Sequence, residues 1–333
     1  MPNNSKHVNE RTTQNGHFAP KMELNNPKWC MLEAADADEQ AHNLKDWQQQ
    51  YDQISHGEFY GCINEVSLNH IHAFREYTSQ AVRQQCNVLP DSIWLGFSAD
   101  NKTCRINGHN VASQTLMVRP GNTEFELVTP EKYNIYGIVV SQDALINVAE
   151  KQGIAFNLAL LNSPMRNWPP QKLDQLKYLL NEIIKPDHVS VAGELQQDTL
   201  LMTMLDILQQ DDTNRRESPS LAKRQAVVTK VKEYIVAHPN EQITITQLCE
   251  LVHVSRRTLQ YSFEDVLGIS PLRYLRLSRL NAVRRILLSG IKEDETILMI
   301  AEQWGFWHAG QFAHDYTRLF GENPSQTRLR RRL

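Results

Sequence analysis

Apolar residues recur in three rhythms along the 333-residue chain, and each rhythm predicts a different kind of structure. Between Phe59 and Ser141 they form short runs, or alternate with polar residues, and turn formers interrupt them. Asn87-Val88-Leu89-Pro90-Asp91, Ile93-Trp94-Leu95-Gly96-Phe97, Arg119-Pro120-Gly121-Asn122 and Ile135-Tyr136-Gly137-Ile138-Val139-Val140 are examples. Strands at such close spacing predict a small β-sandwich or barrel. Further on the period lengthens. Leu173, Leu176, Leu179, Leu180, Ile183 and Ile184 lie at the spacing of one helix face, and Leu195, Leu201, Met204, Leu205 and Leu208 repeat the pattern. Two stretches carry no rhythm. Residues 1–40 are polar and Asn-rich, and predict a disordered arm, with the globular part beginning near Leu44 and Trp47. Residues 209–222 are polar, highly charged and broken by Pro219, and predict a linker. The division is therefore an arm, a regulatory domain over 41–208, the linker, and a second domain over 223–333.

The third rhythm is a repeated unit. Ile245 to Val252 predicts a short helix, a tight link at His253-Val254 follows, and Ser255 caps a second helix with Leu259 and Phe263 inward. Ile297 to Trp304 predicts another short helix, then Gly305-Phe306, then a helix carrying Phe312 and Tyr316. Each unit has a small residue where helices cross (Cys249, Ala301) and a turn four residues later. Gly305 tolerates positive φ, and His253 tolerates it better than most residues. Units 245–266 and 296–319 thus predict two helix-turn-helix motifs in tandem. Ser270, Pro271 and Gly290 bracket a connecting helix, roughly 27 Å long from Pro271 to Leu288 at ~1.5 Å per residue. The fold class expected is α+β, with a β-rich, helix-bearing N-terminal domain and an all-α C-terminal one.

Charge sharpens the division. The whole chain carries a formal charge of -3, yet from Leu221 onward there are 17 Lys+Arg against 11 Asp+Glu, a surplus of six. The other 220 residues hold 18 Lys+Arg against 27 Asp+Glu, a deficit of nine. Only the basic third is suited to a polyanion. A helix fits the major groove of duplex DNA, and two reading helices on one stiff connector suit successive groove segments roughly 34 Å apart. With Leu259 and Phe263 inward, Arg256, Arg257, Gln260 and Tyr261 face out. With Phe312 and Tyr316 inward, His308, Gly310, Gln311, His314 and Asp315 do so. Arg pairs bidentately with guanine and Gln with adenine, so Arg257, Gln260 and Gln311 are the expected base readers. Ser255, Arg256 and Arg318 suit phosphates. Tyr261 and His314 could equally pack along the surface, and the basic tail Arg328 to Arg332 could be either a phosphate contact or a disordered end.

These residues carry a resemblance. Val254-Ser-Arg-Arg-Thr-Leu-Gln260, Gly268-Ile-Ser-Pro271, Leu280-Asn-Ala-Val-Arg-Arg-Ile-Leu287, Ala301, Gly305-Phe306, Phe312, Tyr316, Phe320-Gly321 and Pro324 resemble the C-terminal domain of AraC/XylS-type transcriptional regulators, over roughly residues 225 to 330. His314 stands where the family usually has arginine, and Tyr316 where it usually has phenylalanine. Trp47-Gln-Gln, Phe74-Arg-Glu-Tyr-Thr78, Arg119-Pro-Gly-Asn-Thr-Glu-Phe-Glu-Leu127 and Trp304-Gly-Phe-Trp-His308 are similar to a narrower group, the regulators of ethanolamine-utilisation operons. The resemblance implies a cupin-like effector domain and an activator of ethanolamine-catabolism genes that answers to ethanolamine and adenosylcobalamin. It implies promoter or operator DNA and RNA polymerase as partners, and a cytoplasmic, nucleoid-associated protein. No Asp-x-His-x-x-Gly cobalamin motif is present, and the resemblance assigns no effector-contacting residue. A homodimer through the helices around 172–208 is an alternative to their packing within the domain.

The rival reading is a metalloenzyme. His70-Ile-His72 with Glu76 has the His-x-His-x3-Glu spacing of metal-binding cupins. The second half of such a site needs a histidine after Pro120-Gly121, and only Asn122-Thr-Glu-Phe-Glu126 follows, so neither a metal nor catalytic residues are expected. Five scattered cysteines suit a reduced compartment. No apolar run approaches the ~18–20 residues that cross a bilayer, and the first residues lack a secretory apolar stretch.

Overall fold

The structure, a computed structural model, describes residues 28–330 apart from 45–46, 157–160, 162–164, 186–192, 210–218, 239–240, 242 and 291–294. The N-terminal domain is built on two antiparallel sheets. One has seven strands in the order β1 (Lys28–Ala34), β3 (Gly61–Ser67), β4 (Ile71–Thr78), β11 (Tyr133–Ser141), β6 (Ser92–Ser98), β9 (Thr115–Pro120) and β12 (Met165–Asn167). The other has five: β2 (Gln48–Gln53), β5 (Val82–Asn87), β10 (Phe125–Thr129), β7 (Cys104–Ile106) and β8 (His109–Val111). Helix α1 (Ala37–Asn43) lies beside β1 and β2, while α2 (Gln142–Lys151), α3 (Pro170–Ile183) and α4 (Gly193–Gln209) follow β11 in the chain.

The seven-stranded sheet is covered on both faces, which is why Ile93 to Phe97 is an unbroken apolar run rather than an alternating one. Along β11, Tyr133, Ile135 and Val139 join the core between the sheets. Tyr136, Ile138 and Val140 join the core shared with α2, α3 and α4. Gly137 sits opposite Phe74 in register, and a Cβ there would stand 2.1 Å from the Phe74 ring. The glycine thus lets an aromatic ring lie across the strand.

The expected arm holds structure in its last part. Lys28–Ala34 is a strand paired with β3, and Asp36 caps α1 by accepting from the amides of Asp38 and Glu39. Residues 1–27 lie outside the described residues. Of the expected linker, residues 210–218 lie outside the described residues, Gln209 ends α4 and Pro219 begins helix α5 (Pro219–Ala237). Leu195, read as part of a buried stripe, is 67% exposed. The face of α4 is set by Leu200, Leu201, Met204, Leu205, Ile207 and Leu208 instead, all packed in the core.

The C-terminal domain contains α5, α6 (Ile245–Val252), α7 (Arg256–Leu267), α8 (Pro271–Ser289), α9 (Ile297–Gln303), α10 (Ala309–Phe320) and α11 (Pro324–Arg330). It has two cores. Val231, Leu248, Leu259, Phe263, Tyr274 and Leu275 form the first. Leu280, Val283, Leu287, Ile300, Phe312 and Tyr316 form the second. Helix α8 contributes to both.

The domains meet through buried polar groups. Asn281 on α8 exchanges two hydrogen bonds with the Gln53 backbone, at 2.9 and 3.0 Å. The Gln53 amide donates onward to the Leu319 carbonyl at 2.6 Å. Arg284 pairs with Asp36 and, at 2.8 Å, with Glu322; Arg285 pairs with Asp52 at 2.8 Å. Arg83 bridges Asp52 and Glu126 at 2.7 Å each, and Lys232 of α5 reaches Glu126 at 2.5 Å. Burial alone would raise the Asp52 carboxyl, but Arg83 and Arg285 carry it below the ordinary carboxylate range. A groove of about 1020 Å³ opens at this junction, between β2, β5 and helices α5 and α8.

The interior between the sheets is nearly filled. A cavity of about 10 Å³, room for roughly one water, lies among Trp47, Tyr51, Phe74, Glu76 and Trp94. Trp47 meets Phe74 and Trp94 edge-on at 5.9 and 6.1 Å, and Trp94 stacks on Phe125 at 4.9 Å. The three residues of the rival metal reading have separate surroundings. His70 lies in the exposed turn before β4, His72 is 2.9 Å from Glu65, and Glu76 accepts from Gln40 and Tyr51 at 3.0 and 3.3 Å. No group of three or more His, Cys, Asp or Glu among the described residues is arranged to hold a metal. Burial pushes the Glu76 carboxyl up to about 7, and the two hydrogen bonds only partly offset it. The unfolded chain releases this proton first as pH rises, so folding loses stability between about 4.5 and about 7, by ~3 kcal/mol. Glu76→Gln is expected to remove that decline; parallel urea midpoints for wild type and variant from acid to neutral pH would show Glu76 to be irrelevant.

Candidate nucleic-acid interface

Local sequence explains both helix-turn-helix units. Thr244 and Gln247 form a reciprocal capping box that starts α6, and His253 ends it at φ 52. The Ser255 hydroxyl accepts from the Thr258 amide at 3.2 Å and starts α7. In the second unit Thr296 caps α9, Gly305 turns at φ 80, and His308 opens α10 without a side-chain cap bond. Ser270 accepts from the Arg273 amide, Pro271 takes the first helical position, and Gly290 closes α8 at φ 113. The small residues are placed where expected, Ala301 fully buried and Cys249 half-buried.

Helices α7 and α10 turn apolar faces inward and polar faces to solvent. Leu259, Phe263 and Val266 of α7 are buried, as are Phe312, Tyr316, Leu319 and Phe320 of α10. Ser255, Arg256, Arg257 and Tyr261 are exposed, and Gln260 is half-buried. His308, Gly310, Gln311, His314 and Arg318 are exposed, whereas Asp315 is half-buried against Arg276 of α8.

The exposed side chains are organised along their helices. Arg257 donates to the Tyr261 hydroxyl at 3.1 Å, with its guanidinium 5.3 Å from the ring centre, so Tyr261 stiffens the arginine. Gln260 donates to Glu264 at 2.5 Å, and Gln311 to Asp315 at 3.0 Å. Tyr316, in place of the phenylalanine of the resemblance, satisfies its buried hydroxyl by donating to Thr327 at 2.9 Å. Arg328 and Arg330 belong to α11, with Arg330 3.0 Å from Glu322; residues 331–333 lie outside the described residues. Sequence reasoning gave no interdomain role to Asp36, Asp52, Gln53, Arg284 and Arg285, and Trp307 stands 57% exposed immediately before α10. The consecutive arginines at 284 and 285, inside an otherwise apolar helix stretch, were the one available signal for that role.

Comparison with known proteins agrees with this geometry. Residues 248–330 match the family described as "Helix-turn-helix domain". A "Probable thc operon regulatory protein" of Rhodococcus erythropolis is 37% identical over 100 residues, 30% of this chain and 30% of that protein. "XylDLEGF operon transcriptional activator 2" of Pseudomonas putida is 36% identical over 98 residues, 29% of this chain and 62% of that protein. Among solved structures, a probable AraC family transcriptional regulator from Rhodopseudomonas palustris is 36% identical, covering 32% of this chain and 97% of that one, with TM-score 0.29. The matched region spans less than two thirds of either curated relative. Residues 248–330 are thus similar to helix-turn-helix domains, and the relatives named are regulators of operon transcription. No helix among the described residues is long and apolar enough to cross a membrane.

Proposed function

We propose that the whole chain is an effector-responsive, sequence-specific DNA-binding regulator of transcription, acting as an activator through RNA polymerase. The observation that carries this reading is the pair of helix-turn-helix units, each with a polar reading face open to solvent and its apolar face packed in a core. Arg257, Gln260 and Gln311 read bases. Ser255, Arg256 and Arg318 hold phosphates, and Tyr261, His308, Gly310 and His314 line the two faces. The activator role is supported by the similarity to XylDLEGF operon activators. An ethanolamine response with adenosylcobalamin rests on the resemblance in residues 47–127 and 304–313 alone.

The effector belongs in the groove where the domains meet rather than between the sheets. The former offers about 1020 Å³ and the latter about 10 Å³. A ligand there touches β2 and β5 on one side and α5 and α8 on the other, so it can favour one arrangement of the domains over another. The exposed side chains Tyr178, Leu195 and Met202 on α3 and α4 support a homodimer through those helices.

Affinity for a preferred duplex is expected to fall at least ~tenfold between about 50 and 200 mM salt, because phosphate neutralisation releases counterions. Arg256→Ala should lower the slope by about one. A flat salt response measured by fluorescence anisotropy would remove the basis for DNA binding. Adding ethanolamine or adenosylcobalamin to the full chain should raise its melting temperature. No shift with either would end the ethanolamine link and leave the DNA reading untouched.

A further inference from the structure

We propose that Asp315, pinned by Arg276, is a positioning residue that commits the second reading helix to adenine at one base pair. The inference deepens the DNA-binding reading above and rests on it. An exposed glutamine amide has two orientations that differ by exchange of its oxygen and nitrogen, and it reads different bases in each. Gln311 is not free to exchange them. Its Nε2 donates to Oδ1 of Asp315 at 3.0 Å, one helical turn away. The other oxygen of the same carboxylate, Oδ2, forms an ion pair with the Arg276 guanidinium on α8.

An ionised carboxylate offers only lone pairs, so it accepts the glutamine N–H and repels the glutamine oxygen. The chemistry of the neighbour therefore fixes which end of the amide turns toward Asp315. One N–H and both lone pairs of Oε1 remain unused by that bond on an exposed residue. That donor–acceptor pair matches adenine in the major groove, where N7 accepts and the N6 amino group donates. It does not match guanine, whose N7 and O6 both accept. Arg276 pairs with that carboxylate from the connecting helix, so the acceptor facing Gln311 is drawn by charge toward α8 as well as carried by α10. The anchor is itself half-exposed, with 50% of its side-chain surface open, whereas Asp315 keeps only 14%. The first unit has the same turn-to-turn bond, Gln260 to Glu264 at 2.5 Å, on an exposed carboxylate.

The test uses the purified full chain and duplexes it selects from a random-sequence library. Affinity is then measured for every single-base variant of the selected site. The wild type should prefer adenine to guanine at one position of the second half-site by at least ~tenfold. Asp315→Ala should bring that preference below about threefold, with losses at all other positions sharing one common factor. Asp315→Ala combined with Gln311→Ala should be no less discriminating there than Gln311→Ala alone. Arg276→Met, which leaves the carboxylate in place, should weaken the same preference part-way and serves if Asp315→Ala misfolds. Undiminished adenine preference in Asp315→Ala, or an equal loss at every position with a lowered melting temperature, overturns the proposal. A wild-type chain that selects no sequence overturns the regulator reading itself.

Discussion

Helix α8 is the constraint on which the remainder of the molecule depends. Its 19 residues span roughly 28 Å and serve three partners at once. Tyr274 and Leu275 complete the core of the first helix-turn-helix unit. Leu280, Val283 and Leu287 complete the core of the second. Asn281, Arg284 and Arg285 face the N-terminal domain. An element buried on so many sides cannot rotate without breaking one of these contacts, so the separation of the two reading helices is held by packing and not by a flexible link.

The N-terminal domain binds this helix with polar groups, and that choice has a consequence. Apolar burial tolerates sliding, whereas a buried guanidinium facing two carboxylates does not. Arg284 between Asp36 and Glu322, and Asn281 exchanging bonds with the Gln53 backbone, define one docking geometry. Gln53 also reaches the Leu319 carbonyl at the end of α10, so the same residue touches the connector and the second reading helix. A displacement of β2 would therefore disturb both of these contacts. The groove beside Arg83, Lys232 and Arg285 lies against these contacts, where an occupant would alter their balance.

What was legible in the sequence was local. The turns at His253 and Gly305, the caps at Thr244, Ser255 and Ser270, and the inward pairs Leu259/Phe263 and Phe312/Tyr316 are set by residues within a few positions of one another. What escaped was decided at long range. Trp29 in the supposed arm donates to the Ile183 carbonyl, 154 residues away, a contact no window of sequence contains. Asp36 looked like one more polar residue of a tail, yet it caps a helix and pairs with Arg284. The His70, His72 and Glu76 spacing looked like half of a metal site because its pattern ignores where the strand starts. With β4 beginning at Ile71, His70 falls in a turn and Glu76 turns to Tyr51 and Gln40.

The proposed DNA-binding role requires α7 and α10 to engage one duplex together, at a distance set by α8. Footprinting the full chain on a selected duplex tests this most directly. Two protected segments centred about 10–10.5 base pairs apart on one face are expected, and inserting about five base pairs between them should abolish tight binding. A single protected segment, or binding indifferent to the insertion, would show that the two units do not engage the same face of the duplex.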